Sequence, residues 1–82
     1  MQHQLKTWPE YFQPTWVGDK TFEIRKNDRE FKERDEVTLQ EYDPKEDDFT
    51  GREIHGMIRY LTNYEQKEGY VVFSLVEMSR QE

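Results

Sequence analysis

The chain has no cysteine, so no disulfide can staple it and no thiolate can hold a metal ion. Its two histidines, His3 and His55, stand far apart, and neither has a partner at metal-ligand spacing, so no metal site is expected. Glycine is sparse: Gly18, Gly51, Gly56 and Gly69 are scattered and form no phosphate-cradling loop. No cofactor is expected. No apolar run approaches the ~20 residues of a membrane span. The first ten residues, MQHQLKTWPE, lack the apolar centre of a signal peptide. These absences point to a soluble, cytoplasmic protein with no membrane partner. Only 33% of residues are hydrophobic and 37% are charged, a balance that leans toward disorder. The aromatic share of 15% pulls the other way, because each ring buries a large area. A single folded domain over residues 1–82 is the expectation, with one modest core.

Hydrophobic patterning predicts a mainly β protein with a helical insertion (α+β), built as a small closed or partly closed barrel of about five strands. A first strand is expected at residues 3–7 around Leu5. A helix then starts near Pro9, which suits the first turn, and ends at Gly18. Thr7 and Glu10 have the spacing of a capping box. Tyr11, Phe12, Trp16 and Val17 are expected to cover one side of this helix, while Pro14 predicts a kink or a break. Alternation marks strands at residues 21–26 and 36–42. Residues 52–64 are long enough to bend and serve two sheets. The run YVVFSLVEM (70–78) reads as a central strand buried on both faces. Between them, DPKEDDFTG (43–51) reads as an acidic hairpin loop. Its carboxylates lack the spacing of a calcium loop.

A net charge of −6 argues against indiscriminate binding to nucleic acid. The charge is uneven, however. From Lys20 to Arg34, six basic residues (Lys20, Arg25, Lys26, Arg29, Lys32 and Arg34) outnumber four acidic ones. At the head of this segment lies GDKTFEIRKNDR. On a strand, Phe22 and Ile24 are expected to point into the core, leaving Thr21, Glu23, Arg25 and Asn27 together on the opposite face. Such a face is either a solvated surface with weak ion pairs or a recognition surface whose arginine fork suits phosphates and base edges. Trp8 and Tyr42, at the ends of elements near charged residues, are the best candidates for stacking on unpaired bases.

The stretch Gly18-x-Lys20-x-x-Glu23-x-Arg25 resembles the G-x-K-x-x-E-x-R signature of the ASCH (activating signal cointegrator homology) domain, a branch of the PUA-like β-barrels. The flanks HQLKTWPEYF, RKNDREF, QEYD, TGRE and EGYVVFSL extend the likeness over essentially the whole chain, to a short ASCH-like family of bacteria and phages. The resemblance implies a barrel with a helix beside a cleft. Lys20, Glu23 and Arg25 would line that cleft, with Asn27 and Arg29 as flanking contacts. It also implies an RNA-binding module acting in translation, RNA metabolism or transcription coactivation. Some ASCH proteins resemble amidohydrolases acting on acylated cytidine, with a threonine three residues after the lysine. Here that position is Glu23, and Thr21 is adjacent to Lys20, so this hydrolysis is not expected. Arg34 is a further departure, standing where a glycine is expected before Asp35. The leading expectation is an RNA partner held through Lys20, Glu23 and Arg25. One alternative is a small nucleoside- or nucleotide-processing hydrolase using Lys20 and Glu23 as an acid–base pair. The other is a module that binds protein partners through its acidic face.

Overall fold

Alternation along β1 (Gln2–Thr7) turns His3, Leu5 and Thr7 inward and leaves Gln2, Gln4 and Lys6 outside. In the computed structural model, which describes Met1–Glu82, this strand is followed by α1 (Pro9–Trp16), β2 (Phe22–Lys26), β3 (Glu36–Asp43), β4 (Asp48–Thr62) and β5 (Tyr70–Gln81). The five strands form one sheet in the order β1-β3-β4-β5-β2. β1 lies parallel to β3, and all other neighbours are antiparallel. The protein is thus mainly β with one short helix, and its sheet curls into a half-barrel. No helix is long and apolar enough to cross a membrane.

The inward faces meet in one core of Leu5, Phe12, Phe31, Val37, Leu39, Ile54, Ile58, Val71, Phe73 and Leu75. Within it the Phe31 ring centroid lies 5.1 Å from that of Phe73 and 4.7 Å from that of His3. The buried His3 is satisfied by Asp35, with Nε2 2.8 Å from Oδ2. Burial pushes the Asp35 carboxyl upward. The His3 hydrogen bond, the Lys32 backbone N–H and the terminal ammonium group outweigh it and hold the pKa below the ordinary 3.8.

β4 serves one sheet, not two, and it bends through two irregularities against β5. Gly56 sits at the first of these. A Cβ there would come within 3.1 Å of Met78 Cγ and 3.4 Å of the Val76 carbonyl oxygen. β5 is interior to the sheet but alternates: Val71, Phe73 and Leu75 are buried, whereas Tyr70, Val72 and Val76 are only half covered. No second layer lies across its outer face.

The helix forms one continuous element in spite of Pro14. Pro9 occupies its first turn, and its N-cap is Trp8, whose carbonyl accepts from Tyr11 and Phe12. The capping box is not made. Thr7 belongs to β1, and its hydroxyl donates to the Leu5 carbonyl. Phe12 and Thr15 are the buried helix residues, while Tyr11 and Val17 are exposed. Pro14 deprives the helix of the one N–H that would donate to the Glu10 carbonyl. The Pro14 carbonyl accepts from the backbone N–H groups of Asp19 (2.9 Å) and Lys20 (3.1 Å), with Gly18 turning the chain at φ +92°.

The half-barrel does not close by a backbone ladder. β1 and β2, its two edges, are joined instead by arginine side chains. Arg25 Nη1 donates to the Lys6 carbonyl (3.3 Å) and Nη2 to Thr7 Oγ1 (2.9 Å), while Arg29 Nη1 donates to the Gln4 carbonyl (3.0 Å).

Candidate functional site

The facing of β2 follows from its register with β5. Glu23 lies opposite Phe73 and Arg25 opposite Val71, both inward-facing core residues. Directly opposed residues of an antiparallel pair share a face. Glu23 is therefore inside, 2% exposed, and Arg25 is half-buried beside it. Phe22 and Ile24 point outward, 44% and 54% exposed. This reverses the expected arrangement. The inward carboxylate is stable because cations meet it at the rim of the half-barrel.

Lys20 reaches Glu23 because the turn closed on Pro14 sets its backbone at the end of α1. Its Nζ donates to Glu23 Oε2 at 3.0 Å and to the Tyr11 carbonyl at 3.4 Å. It also stands 5.8 Å from the Tyr11 ring centroid and 5.7 Å from that of Phe22. Arg25 meets the other oxygen, Oε1, through Nε at 3.0 Å and Nη2 at 2.9 Å. One buried carboxylate thus orders two cations, and Arg25 ties this group to the edge of β1.

Above these charges a cleft of about 540 Å³ opens between α1 and the edges of β1 and β2. Such a volume lies within the ~300–1,000 Å³ range of small-molecule sites. Trp8, Tyr11, Phe22 and Ile24 line it, and each of these four is among the chain's exposed large apolar residues. Lys6 and Thr7 complete the β1 side. Exposed apolar side chains gathered round a concave charged floor mark a surface that gains by being covered.

The cleft brings together Lys20, Glu23, Arg25 and Trp8. Asn27, Arg29 and Tyr42 do not line it. Asn27 Oδ1 accepts from the Phe31 backbone N–H at 2.8 Å and so holds the turn after β2. Arg29 lies farther along the seam on Gln4. Tyr42 sits on the outer face of β3, edge-on to Phe49, with Lys6 Nζ 4.2 Å from its ring centroid and its hydroxyl bonded to Asp47.

Sequence reasoning did not single out Tyr11, Phe22, Ile24, Lys6 or Thr7 for this surface. The signal for Phe22 and Ile24 was available: if Glu23 and Arg25 face a common interior, the two apolar residues between and before them must face out. Also missed is a second buried glutamate, Glu41. Arg52 grips it with Nε on Oε1 at 2.8 Å and Nη2 on Oε2 at 2.9 Å, and Thr50 donates to Oε1 at 2.6 Å. The same guanidinium reaches Gln13 of α1 and lies 4.7 Å from the Trp16 ring centroid. Arg52 holds the Glu41 pKa below its ordinary value against the upward push of burial. Glu41 in turn raises that of Arg52.

A family model described as a domain of unknown function, DUF3850, matches residues 2–75. The chain belongs to this family. No curated protein matches it. The match to the DUF3850 model takes in α1, β2 and every residue of the cleft.

Proposed function

We propose that the cleft seats one unpaired nucleotide of an RNA strand, and that the chain is a PUA-like, ASCH-type RNA-recognition module. The observation that carries this reading is the Lys20–Glu23–Arg25 group at the floor of a cleft walled by exposed aromatic rings. A base offers a π-face to Trp8, Tyr11 or Phe22, and such stacking contributes ~1–3 kcal/mol per base. Glu23 retains lone pairs that accept from a base amino group, the role carboxylates play toward cytosine. Lys6 and Lys20 stand at the rim, where the sugar–phosphate chain passes. With the protein acidic overall, attraction is confined to this locality, so modest affinity and a shallow salt dependence are expected.

The test is a fluorescence-anisotropy titration of short single-stranded and hairpin RNAs, matched DNAs and free nucleosides at two salt concentrations. Trp8→Ala and Lys20→Ala are run beside the wild type. These variants are preferred to Arg25→Ala, because Arg25 also joins β1 to β2. Saturable RNA binding that weakens about tenfold in Trp8→Ala supports the assignment, the equivalent of ~1.4 kcal/mol. Affinity untouched by either substitution overturns it. The absence of binding across the panel favours a protein partner on the acidic surface.

A second reading rests on the 3.0 Å Lys20–Glu23 pair in a cleft of nucleoside size, a geometry suited to proton transfer. Chromatographic detection of product from a nucleoside or nucleotide, abolished by Glu23→Gln, would replace binding with hydrolysis as the function.

A further inference from the structure

A second concavity of about 210 Å³ lies on the seam next to the cleft and shares Lys6 and Arg25 with it. We infer that it is a phosphate-ester subsite that takes the phosphodiester next to the nucleotide in the cleft, with Lys26 and Arg29 as its main contacts. This inference rests on the cleft being the base site. Four cations, Lys6, Arg25, Lys26 and Arg29, line the concavity with one carboxylate, Asp28. They do so on a chain whose net charge is −6.

The donors are not exhausted by internal contacts. Lys26 is exposed and takes part in none of the chain's ion pairs. Lys6 is held over the Tyr42 and Phe49 rings, with its ammonium free to donate. Arg29 uses Nη1 on the Gln4 carbonyl, which orients the guanidinium and leaves further N–H groups for an acceptor. Arg25 differs, because its bonds to Glu23, Lys6 and Thr7 occupy most of its fork. It acts as the fixed wall between the two concavities. Like charges held together raise the energy of the empty protein, and a bound phosphate dianion or diester relieves that repulsion. A phosphate is the anion that fits because the adjoining cleft offers aromatic faces for the base attached to it.

The experiment is an amide NMR titration of the full chain, wild type and Lys26→Gln. The probes are inorganic phosphate, uridine, uridine 5′-monophosphate and the dinucleoside monophosphate UpU. Lys26 is exposed and lies outside the cleft, so the variant keeps its fold and its affinity for uridine. Inorganic phosphate should shift the amides of residues 25–29. A phosphate-bearing ligand should bind about fivefold more tightly than uridine, the gain of one partly exposed charge contact. That gain should vanish in Lys26→Gln. A gain larger for UpU assigns the phosphate to a strand, and one larger for the monophosphate assigns it to a free nucleotide. Equal affinity for uridine and both phosphate-bearing ligands overturns the subsite and leaves the cleft reading intact. Phosphate-induced shifts without any uridine binding overturn the base site and leave an anion site alone. A gain that persists in Lys26→Gln overturns the assignment of Lys26.

Discussion

The protein buries two glutamates that arginine neutralises, and they are built for different tasks. Glu41 is gripped by both arms of one arginine fork, by a hydroxyl, and under a guanidinium laid against Phe12 and Trp16. Its partner also reaches Gln13, so the arrangement pins α1 to the hairpin of β3 and β4. Glu23 instead divides its two oxygens between Lys20 and Arg25, side chains that approach from different elements and line an open cleft. A fork that holds both oxygens of one carboxylate is a clamp. A shared carboxylate whose cations stand beside apolar surface still has acceptor and donor capacity for a ligand. The difference lies in geometry and surroundings, since both glutamates are equally buried.

The largest test of this contrast is Arg52→Met. Removing the fork leaves Glu41 buried without its cation, and urea unfolding should show a loss of about 3 kcal/mol. RNA binding should persist wherever the variant remains folded. Glu23→Gln should cost less, about 2 kcal/mol, because charged hydrogen bonds are lost while Lys20 and Arg25 retain access to water. It should nevertheless abolish saturable binding in the anisotropy assay. If Arg52→Met abolished binding while Glu23→Gln cost only stability, the contrast would fail.

Acid sharpens the comparison from the clamp's side. The folded-state pKa of Glu41 lies below its ordinary 4.5, so the stabilisation is complete above that value. As pH falls from 4.5 toward the folded pKa, the unfolded chain takes up the proton first and stability is lost. Asp35 contributes in the same sense below its ordinary 3.8. Thermal midpoints followed from pH 7 to pH 3 should drop in this window, and the drop should be shallower in Glu41→Gln. An identical slope would remove Glu41 as a source.

The smallest effect provides a yardstick at a residue that touches neither glutamate. Arg34 adopts φ 78°, in the left-handed region that strains a side chain. Arg34→Gly should raise stability by roughly 0.5–1 kcal/mol, set by relief of strain against the extra freedom glycine gives the unfolded chain. The urea midpoint should rise with RNA affinity unchanged.

That position was legible in the sequence, where the turn before Asp35 calls for glycine and carries arginine. So were the first strand, the hairpin of β3 and β4, and the interior placement of β5, because alternation and turn residues are local signals. The facing of β2 was not. Apolar residues at Phe22 and Ile24 ordinarily mark the inward face, and the rule fails where Lys20 from the preceding turn and Arg25 from the same strand make an inward carboxylate stable. Removing the outer apolar pair from water was left to a cleft rather than to the core. Glu41 and Arg52 were invisible for another reason. Their pairing crosses a hairpin and completes on a helix far away in sequence, and no short spacing announces it.

The arginine seam has a consequence for encounters between copies of the chain. A sheet with two free edges offers two templates on which a foreign strand can add, the first step toward fibrous assembly. Here the Gln4 and Lys6 carbonyls of one edge are already occupied by Arg29 and Arg25 from the direction of the other. The β2 edge thereby guards that of β1. A strand approaching from outside meets bulky cations in place of unpaired backbone.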